Sequence, residues 1–443
     1  MKLSKGYIAK SKLAAVAGMF LLIVTLVYFS TVGTAAEEME ISAMFAADAF
    51  NAEAFSFEGR GGEVFMENQW RSLHAFNDFM DNLAVNRRGE PEYPAFFGGV
   101  FLDNDGNLVV NVVESGARSA AASQEMGGML DMEGTRVQIV QFSYAELNAM
   151  MYWLADDHLS NPDCDVRYNV THFVLDTVQN RIVVGLYNYN AYSIAKFEYY
   201  VTGSPMFMFV ESPLRMSLLL NVNKAYDTIE STLYDPQEYY DEMSERSTIH
   251  VSPGARIYLT SGNSYAQGSV GYGIVRRANN ARGFLMTPHG DTSFIGWTAR
   301  LGSRTGPILG TLISPIVFRD GIDAGVIALN NDAFFMNSTD GFTLVRGFEN
   351  PPVGAIVDMI SAMSGRQRGR TVANNNFYCP AARMGRLVLV NANNRRGDSG
   401  GLVYMSIDPW RAQALGIIVS GTPQQATFSR QDLINSALSI DLN

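Results

Sequence analysis

The sequence predicts a mainly β C-terminal half preceded by a smaller α+β unit. Two observations carry this, and a third places the seam. After about Ser247, short apolar runs alternate with clusters of Gly, Asn, Pro and Ser, and no long amphipathic pattern appears before the end of the chain. Upstream, pairs of strand-like runs flank one well-capped helix. Net charge also changes sign. Residues 37–246 carry −21, whereas 247–443 carry +6 with 17 Arg and no Lys. Opposite fields in one chain predict that the two parts face each other. With 443 residues, 47% of them hydrophobic, the chain has material for several cores, and length alone suggests about three domains.

In chain order, Lys2, Lys5, Lys10 and Lys12 precede an uncharged apolar run from Leu13 to Val32, followed by Gly33-Thr34-Ala35-Ala36. This predicts a signal peptide or N-terminal membrane anchor over 1–36 and export of the remainder, secreted or anchored with membrane contact through 13–32. Residues 37–92 show only weak helical periodicity and receive no role. Phe97–Leu102 and Leu108–Val113 read as a hairpin closed by the Asp103–Asn107 turn. That turn is no EF-hand loop, because its glycine stands at the fourth position rather than the sixth. Val137–Phe142 is a further strand candidate. Ser143 with Glu146 forms a capping box that opens a helix with an apolar stripe at Tyr144, Leu147, Met151 and Leu154. Phe173–Asp176 with Arg181–Leu186 reads as a second hairpin. Phe197–Val201 with Met206–Val210, turned at Gly203-Ser204-Pro205, reads as a third. The unit is expected to be a helix on an antiparallel sheet.

The organisation expected is therefore 1–36 leader, 37–213 α+β region (clearest at 97–210), 214–246 acidic connector, and 247–443 β domain. Nine strands are expected in that domain, together with a closing helix at Gln431–Leu438. The two cysteines, Cys164 and Cys379, form no C-x-x-C and no disulfide framework. Neither a metal nor a cofactor is expected, and no nucleic-acid partner.

The stretch that carries chemistry is Arg395-Arg396-Gly397-Asp398-Ser399-Gly400-Gly401. It sets a hydroxyl on a turn with no side-chain bulk beyond it, so an attacked carbonyl can approach and backbone amides are free for an oxyanion. A serine needs a base, and the base an orienting carboxylate. All five histidines (His74, His158, His172, His250, His289) precede Ser399. This excludes the α/β-hydrolase order, in which the histidine comes last. His289 follows the strand-like Gly283–Met286. Asp323 opens the apolar run Ile322–Leu329, with Asp320 and Asp291 as alternative carboxylates. The roles follow: Ser399 attacks, His289 takes the proton, Asp323 holds the tautomer, and the amides of Gly397 and Ser399 receive the oxyanion.

With these residues in this order, the last two hundred residues resemble a chymotrypsin-fold (trypsin-like) serine protease of the bacterial alpha-lytic protease and streptogrisin branch. The carriers are the strand ending in His289, Asp323-Ala324-Gly325-Val326-Ile327, Gly397-Asp398-Ser399-Gly400-Gly401, and Leu415–Thr422. The resemblance implies two perpendicular antiparallel β-barrels with the triad between them. It also implies a pocket walled by Ala392–Arg396, with Asn393, and an edge at Ser420, Gly421 and Thr422 that pairs with substrate backbone. The family usually has Thr-Ala-x-His, often followed by Cys. Here Met286-Thr287-Pro288-His289-Gly290 stands instead, without the disulfide, and Thr422 stands where a glycine is common. Phe97–Leu186 resembles, more weakly, the pro regions of that branch, which implies a folding aid and inhibitor. The expected function is a secreted serine endopeptidase made as a zymogen and acting on proteins or peptides. The alternative is a catalytically silent binding or sensor protein on the same fold.

Overall fold

The computed structural model describes residues 60–86, 91–114, 127–158 (except 131), 166–212 (except 167), 217–218, 221–223, 249–330, 333–339, 342–346, 351–379, 384–407 and 410–443. All belong to one compact unit spanning 56–443. The apolar run Leu13–Val32, Cys164 and most of the 214–246 connector lie outside the described residues. Among the described residues, no helix is long and apolar enough to cross a membrane.

The α+β region begins with helix α1 (Arg60–Asp81). Strands β1 (Phe97–Leu102) and β2 (Leu108–Val113) form the expected hairpin. The Asp103 carboxylate closes its turn by accepting the amides of Asp105 and Asn107. Strand β3 (Arg136–Val140) adds to β2 in parallel. Helix α2 (Tyr144–Tyr152) starts at the Ser143–Glu146 capping box, with both reciprocal bonds formed. Its stripe residues Tyr144, Leu147 and Met151, with Leu154 in the π-helical turn Trp153–His158 that follows, are buried in the core with Phe97, Val110, Phe173 and Val184. Strands β4 (Val170–Asp176) and β5 (Arg181–Leu186) form the second hairpin.

The third hairpin does not form. Ala191–Tyr200 is a helix, α3, and strand β6 (Phe207–Glu211) pairs parallel to β5. The aromatic run Phe197–Tyr200 suggests a strand by propensity. Helical spacing wins, because Phe197 packs edge-on to Phe207 and Phe209 while Tyr199 and Tyr200 point to solvent. The helix starts where the Asn190 side chain accepts the Ser193 amide. A parallel β5–β6 pair requires such a crossover. The sheets here are therefore mixed, not antiparallel, since β3 and β6 each pair in parallel.

Two short strands follow, β7 (Ser217–Leu218) and β8 (Asn221–Asn223). Among the described residues from Ile249 onward the regular elements are strands, apart from one short 3₁₀ turn and the helix Gln431–Leu438, which forms as expected. Among the described residues these strands fall mainly into two ladders. The first runs in the order Ile440–Leu442, Gly273–Arg276, Arg282–Met286, Ile322–Leu329, Ile308–Arg319, Thr298–Leu301, Arg256–Ser261, Ser264–Ser269, and ends on β8. The second includes Arg411–Thr422, Leu402–Ser406, Ile356–Ser361 and Gly365–Cys379, and continues through β4, β5 and β6. The α+β region thus extends a sheet of the β region.

Asn190→Ala tests the correction to α3. Loss of the cap should cost about 1 kcal/mol in denaturant unfolding. No change would mean that α3 does not depend on its cap.

Candidate active site

Sheet register brings two of the chemical groups together. Arg282–Met286 pairs antiparallel with Ile322–Leu329, and Met286 lies opposite Gly325. The chain leaving Met286 and the chain entering Gly325 are therefore at the same end of the pair. His289 lies three residues past the first and Asp323 two residues before the second. Pro288 and Gly290 flank His289, which sits at φ 53°, with Gly290 at φ 70°. A Cβ on Gly290 would come within 2.7 Å of the Phe318 ring, so this turn admits only glycine after the histidine.

Ser399 arrives from the other ladder. Gly400 at φ 90° has no room for a Cβ, which would lie 2.3 Å from the Ser269 carbonyl. The turn is strapped on both sides: the Ser269 amide donates to the Ser399 carbonyl at 2.8 Å, and the Gly400 amide donates to Ile418 O at 2.8 Å. The Ser269 hydroxyl donates to Gly397 O at 2.8 Å. The Asp398 carboxylate is fully buried, and it accepts the amides of Met363, Ser364 and Arg395 and the Ser364 hydroxyl. Four donors satisfy its charge and hold the turn.

The result is a connected chain of groups. His289 Nε2 lies 3.1 Å from Ser399 Oγ, and His289 Nδ1 lies 2.7 Å from Asp323 Oδ2. The His289 side chain is 5% exposed and Asp323 is fully buried. Burial pushes the Asp323 carboxyl up, and the His289 ring and the amides of His289 and Gly290 pull it back down. Ser429 Oγ accepts the Asp323 amide at 3.0 Å and fixes the backbone beneath it. The alternative carboxylates sit in other settings. Asp291 caps a short 3₁₀ turn, and Asp320 is exposed in a β-turn at φ 53°. Among the other histidines, His74 packs on Trp70. His172 is buried against Phe377, with its pKa lowered to about 4 by desolvation.

Among the described residues, the amides of Gly397 and Ser399 donate to no other protein group. Of the expected substrate-binding residues, Asn393 is exposed. Its neighbour Asn394 is buried and donates Nδ2 to Ser420 O at 3.2 Å, a contact the sequence did not single out. Ser420 and Gly421 pair antiparallel with Leu218 and Ser217 of β7. Strand β8 pairs with Tyr265–Gln267, on the strand whose Ser269 amide meets the Ser399 carbonyl. Ser399 is 1% exposed.

Fold and site together define a mainly β body that holds a serine hydroxyl, an imidazole and a carboxylate in series. A family model described as a Pro-like C-terminal domain matches residues 145–212. No curated protein matches the chain. Among solved structures, the chain is similar to Thermobifida fusca Protease A (18% identity, 44% of this chain and 98% of that one, TM-score 0.34). It is also similar to a Nocardiopsis protease (18%, 44% and 99%, TM-score 0.36) and to an alpha-lytic protease homologue, N4 (17%, 44% and 100%, TM-score 0.33). The likeness is to chymotrypsin-fold proteases of the alpha-lytic and streptogrisin kind, over about 44% of the chain.

The buried Asp323 makes a stability prediction. Its native pKa lies above the unfolded value of about 3.9, so the native state holds the proton more tightly, and its contribution to stability falls as pH rises from that value. Asp323→Asn removes this titration. At pH 7 the variant should melt at or above the parent temperature, and the gap should shrink below about pH 4. A variant several kcal/mol less stable than its parent at pH 7 would show that the carboxylate is a net stabiliser.

Proposed function

We propose that this chain is a serine endopeptidase made as a zymogen, on a chymotrypsin-like frame of two β-barrels. The observation that carries the reading is the Asp323–His289–Ser399 series, at 2.7 and 3.1 Å. The His289 ring takes the Ser399 proton as Oγ attacks the scissile carbonyl. Asp323 holds the Nδ1–H tautomer and stabilises the imidazolium. The amides of Gly397 and Ser399 receive the oxyanion. The imidazolium then gives its proton to the leaving amine, and water, deprotonated by the same ring, hydrolyses the acyl-enzyme. The substrate backbone pairs with Ser420–Thr422, the edge that β7 occupies at Ser420 and Gly421 in the intact chain. That occupancy supports inhibition by the chain's own N-terminal region. The basic, apolar leader-like stretch over 1–36 supports export.

Ser399→Ala should abolish peptide hydrolysis and fluorophosphonate labelling in a folded protein, a loss on the order of 10⁶ in kcat. Asp323→Asn should lower kcat by on the order of 10⁴. Wild-type turnover in the alanine variant would remove the assignment. A parent protein that neither labels nor cuts once its connector is cut would favour a silent binding protein.

A further inference from the structure

In the reading above, the N-terminal region is a disposable inhibitor. Its contacts fall into two groups that divide that role. One group lies at the cleft: β7 on Ser420 and Gly421, and β8 on Tyr265–Gln267. The other group is made to residues 353–359, 377–378 and 403–405, and it has the character of a core rather than of a docked surface.

Three observations define the second group. Leu73 of α1 is fully buried and shares a cluster with Val357, Met359, Val403, Met405 and Leu415 of the β region. One turn earlier, Gln69 is 1% exposed and acts as a strand partner. Its side chain accepts the Ile356 amide at 2.7 Å and donates to the Ile356 carbonyl at 3.3 Å. Second, the Leu102 amide at the end of β1 donates to Val353 O at 2.8 Å. A Cβ on the adjacent Gly354 would come within 2.5 Å of the Leu102 carbonyl. Ala355 is buried in the core of the α+β region itself. Third, β4 continues the ladder beyond Gly365–Cys379, with Phe173 stacked on Tyr378 at 4.6 Å. Removing Arg60–Glu211 would expose the cluster around Leu73 and the buried Ala355 to water and replace the Gln69 bonds to Ile356 with solvent, a loss on the scale of a core rather than of a docked surface.

We propose that Arg60–Glu211 is a permanent subunit of the catalytic body, so that cutting the connector clears the cleft and leaves a two-chain enzyme instead of a free protease. A cut between Ser212 and Ile249 breaks none of the second group of contacts, because all of them involve residues up to 211. It frees the C-terminal side of the segment carrying β7 and β8, which stays joined at Glu211 and must then be ordered from that one end to remain in the cleft. The joint is apolar and main-chain, with Arg370 over the Phe65 ring at 4.7 Å and Arg386 over Tyr152 at 5.5 Å. It should therefore resist salt, despite the opposite net charges of the two parts.

The inference rests on the peptidase reading for what the cleft does, and the cohesion of the two chains is measured without it. An external protease site is inserted between Pro236 and Gln237 of full-length Ser399→Ala protein, which cannot cut itself. After cleavage, the two fragments should co-elute as one particle at nanomolar concentration in both 0.1 M and 1 M NaCl. Separated in urea, the C-terminal fragment should refold only when the N-terminal fragment is added back. Gln69→Leu, a mild change, should speed fragment exchange at least tenfold in the cleaved pair. In the active parent, peptidase activity should travel with both fragments. Fragments that part after cleavage, a pair that dissociates at 1 M salt, or a lone C-terminal fragment with the melting temperature of the pair would each overturn the proposal. A pair that holds but shows no activity in the cleaved parent would sink the peptidase reading and leave the two-chain body standing.

Discussion

The carboxylate of Asp398 is buried in full, and the geometry of Ser399 depends on how that charge is satisfied. A bare carboxylate in such a place would cost several kcal/mol. Three backbone amides and one hydroxyl meet it instead, and they come from two different segments, Met363–Ser364 and Arg395. The Arg395–Gly401 turn is thereby locked onto the turn between Ile356–Ser361 and Gly365–Cys379. The Ser269 hydroxyl joins the two, accepting the Ala362 amide and donating to the Gly397 carbonyl. Gly397 at φ 96° and Gly400 at φ 90° are consequences of this lock. The serine sits where the strapped turn leaves it, and the imidazole arrives from the other ladder.

The candidate site was legible in the sequence because its groups sit on local signals. Gly397–Gly401 allows one backbone shape, and a histidine that ends a strand meets an aspartate that begins the neighbouring one. Order along the chain excluded one fold, and the strand-like run ending at Met286 singled out His289 among five histidines. The supports were not legible. Ser269, Ser429 and Asn394 act through pairings more than 25 residues apart, with nothing in their own neighbourhoods to single them out. The strand Ser264–Ser269 is polar and half exposed, so its periodicity is faint.

The α+β region was read well where side-chain chemistry is local, as at the Ser143 capping box and the Asp103 turn. It was misread where pairing partners decide. Phe197–Val201 has the composition of a strand, and only the parallel approach of β6 to β5 makes a helix necessary there. Helix α1 is a sharper case. Its apolar residues do not face one core. Phe76 and Phe79 pack with the α+β region, while Leu73 packs with the β region. The buried residues of α1 do share one face, with Phe65, Gln69, Ser72, Leu73, Phe76 and Phe79 at helical spacing. Two of them are polar, and a glutamine and a serine in the stripe blur the apolar pattern by which helices are recognised.

The same helix bears on the charge split between the two parts of the chain. Opposite net charges led to the expectation that the two parts face each other. Among the described residues, the contacts across the joint include a glutamine paired with a strand backbone, a leucine in a foreign core, a shared ladder, and guanidinium groups over aromatic rings. Arg370 loses hydration there, and its pKa falls accordingly, with Asp103 offsetting part of the loss. Long-range charge steers and aligns two surfaces, whereas short-range packing decides whether they stay together. In this chain the first is written in composition. The second is written in single residues, Gln69 and Leu73, whose meaning depends on a strand almost three hundred positions away.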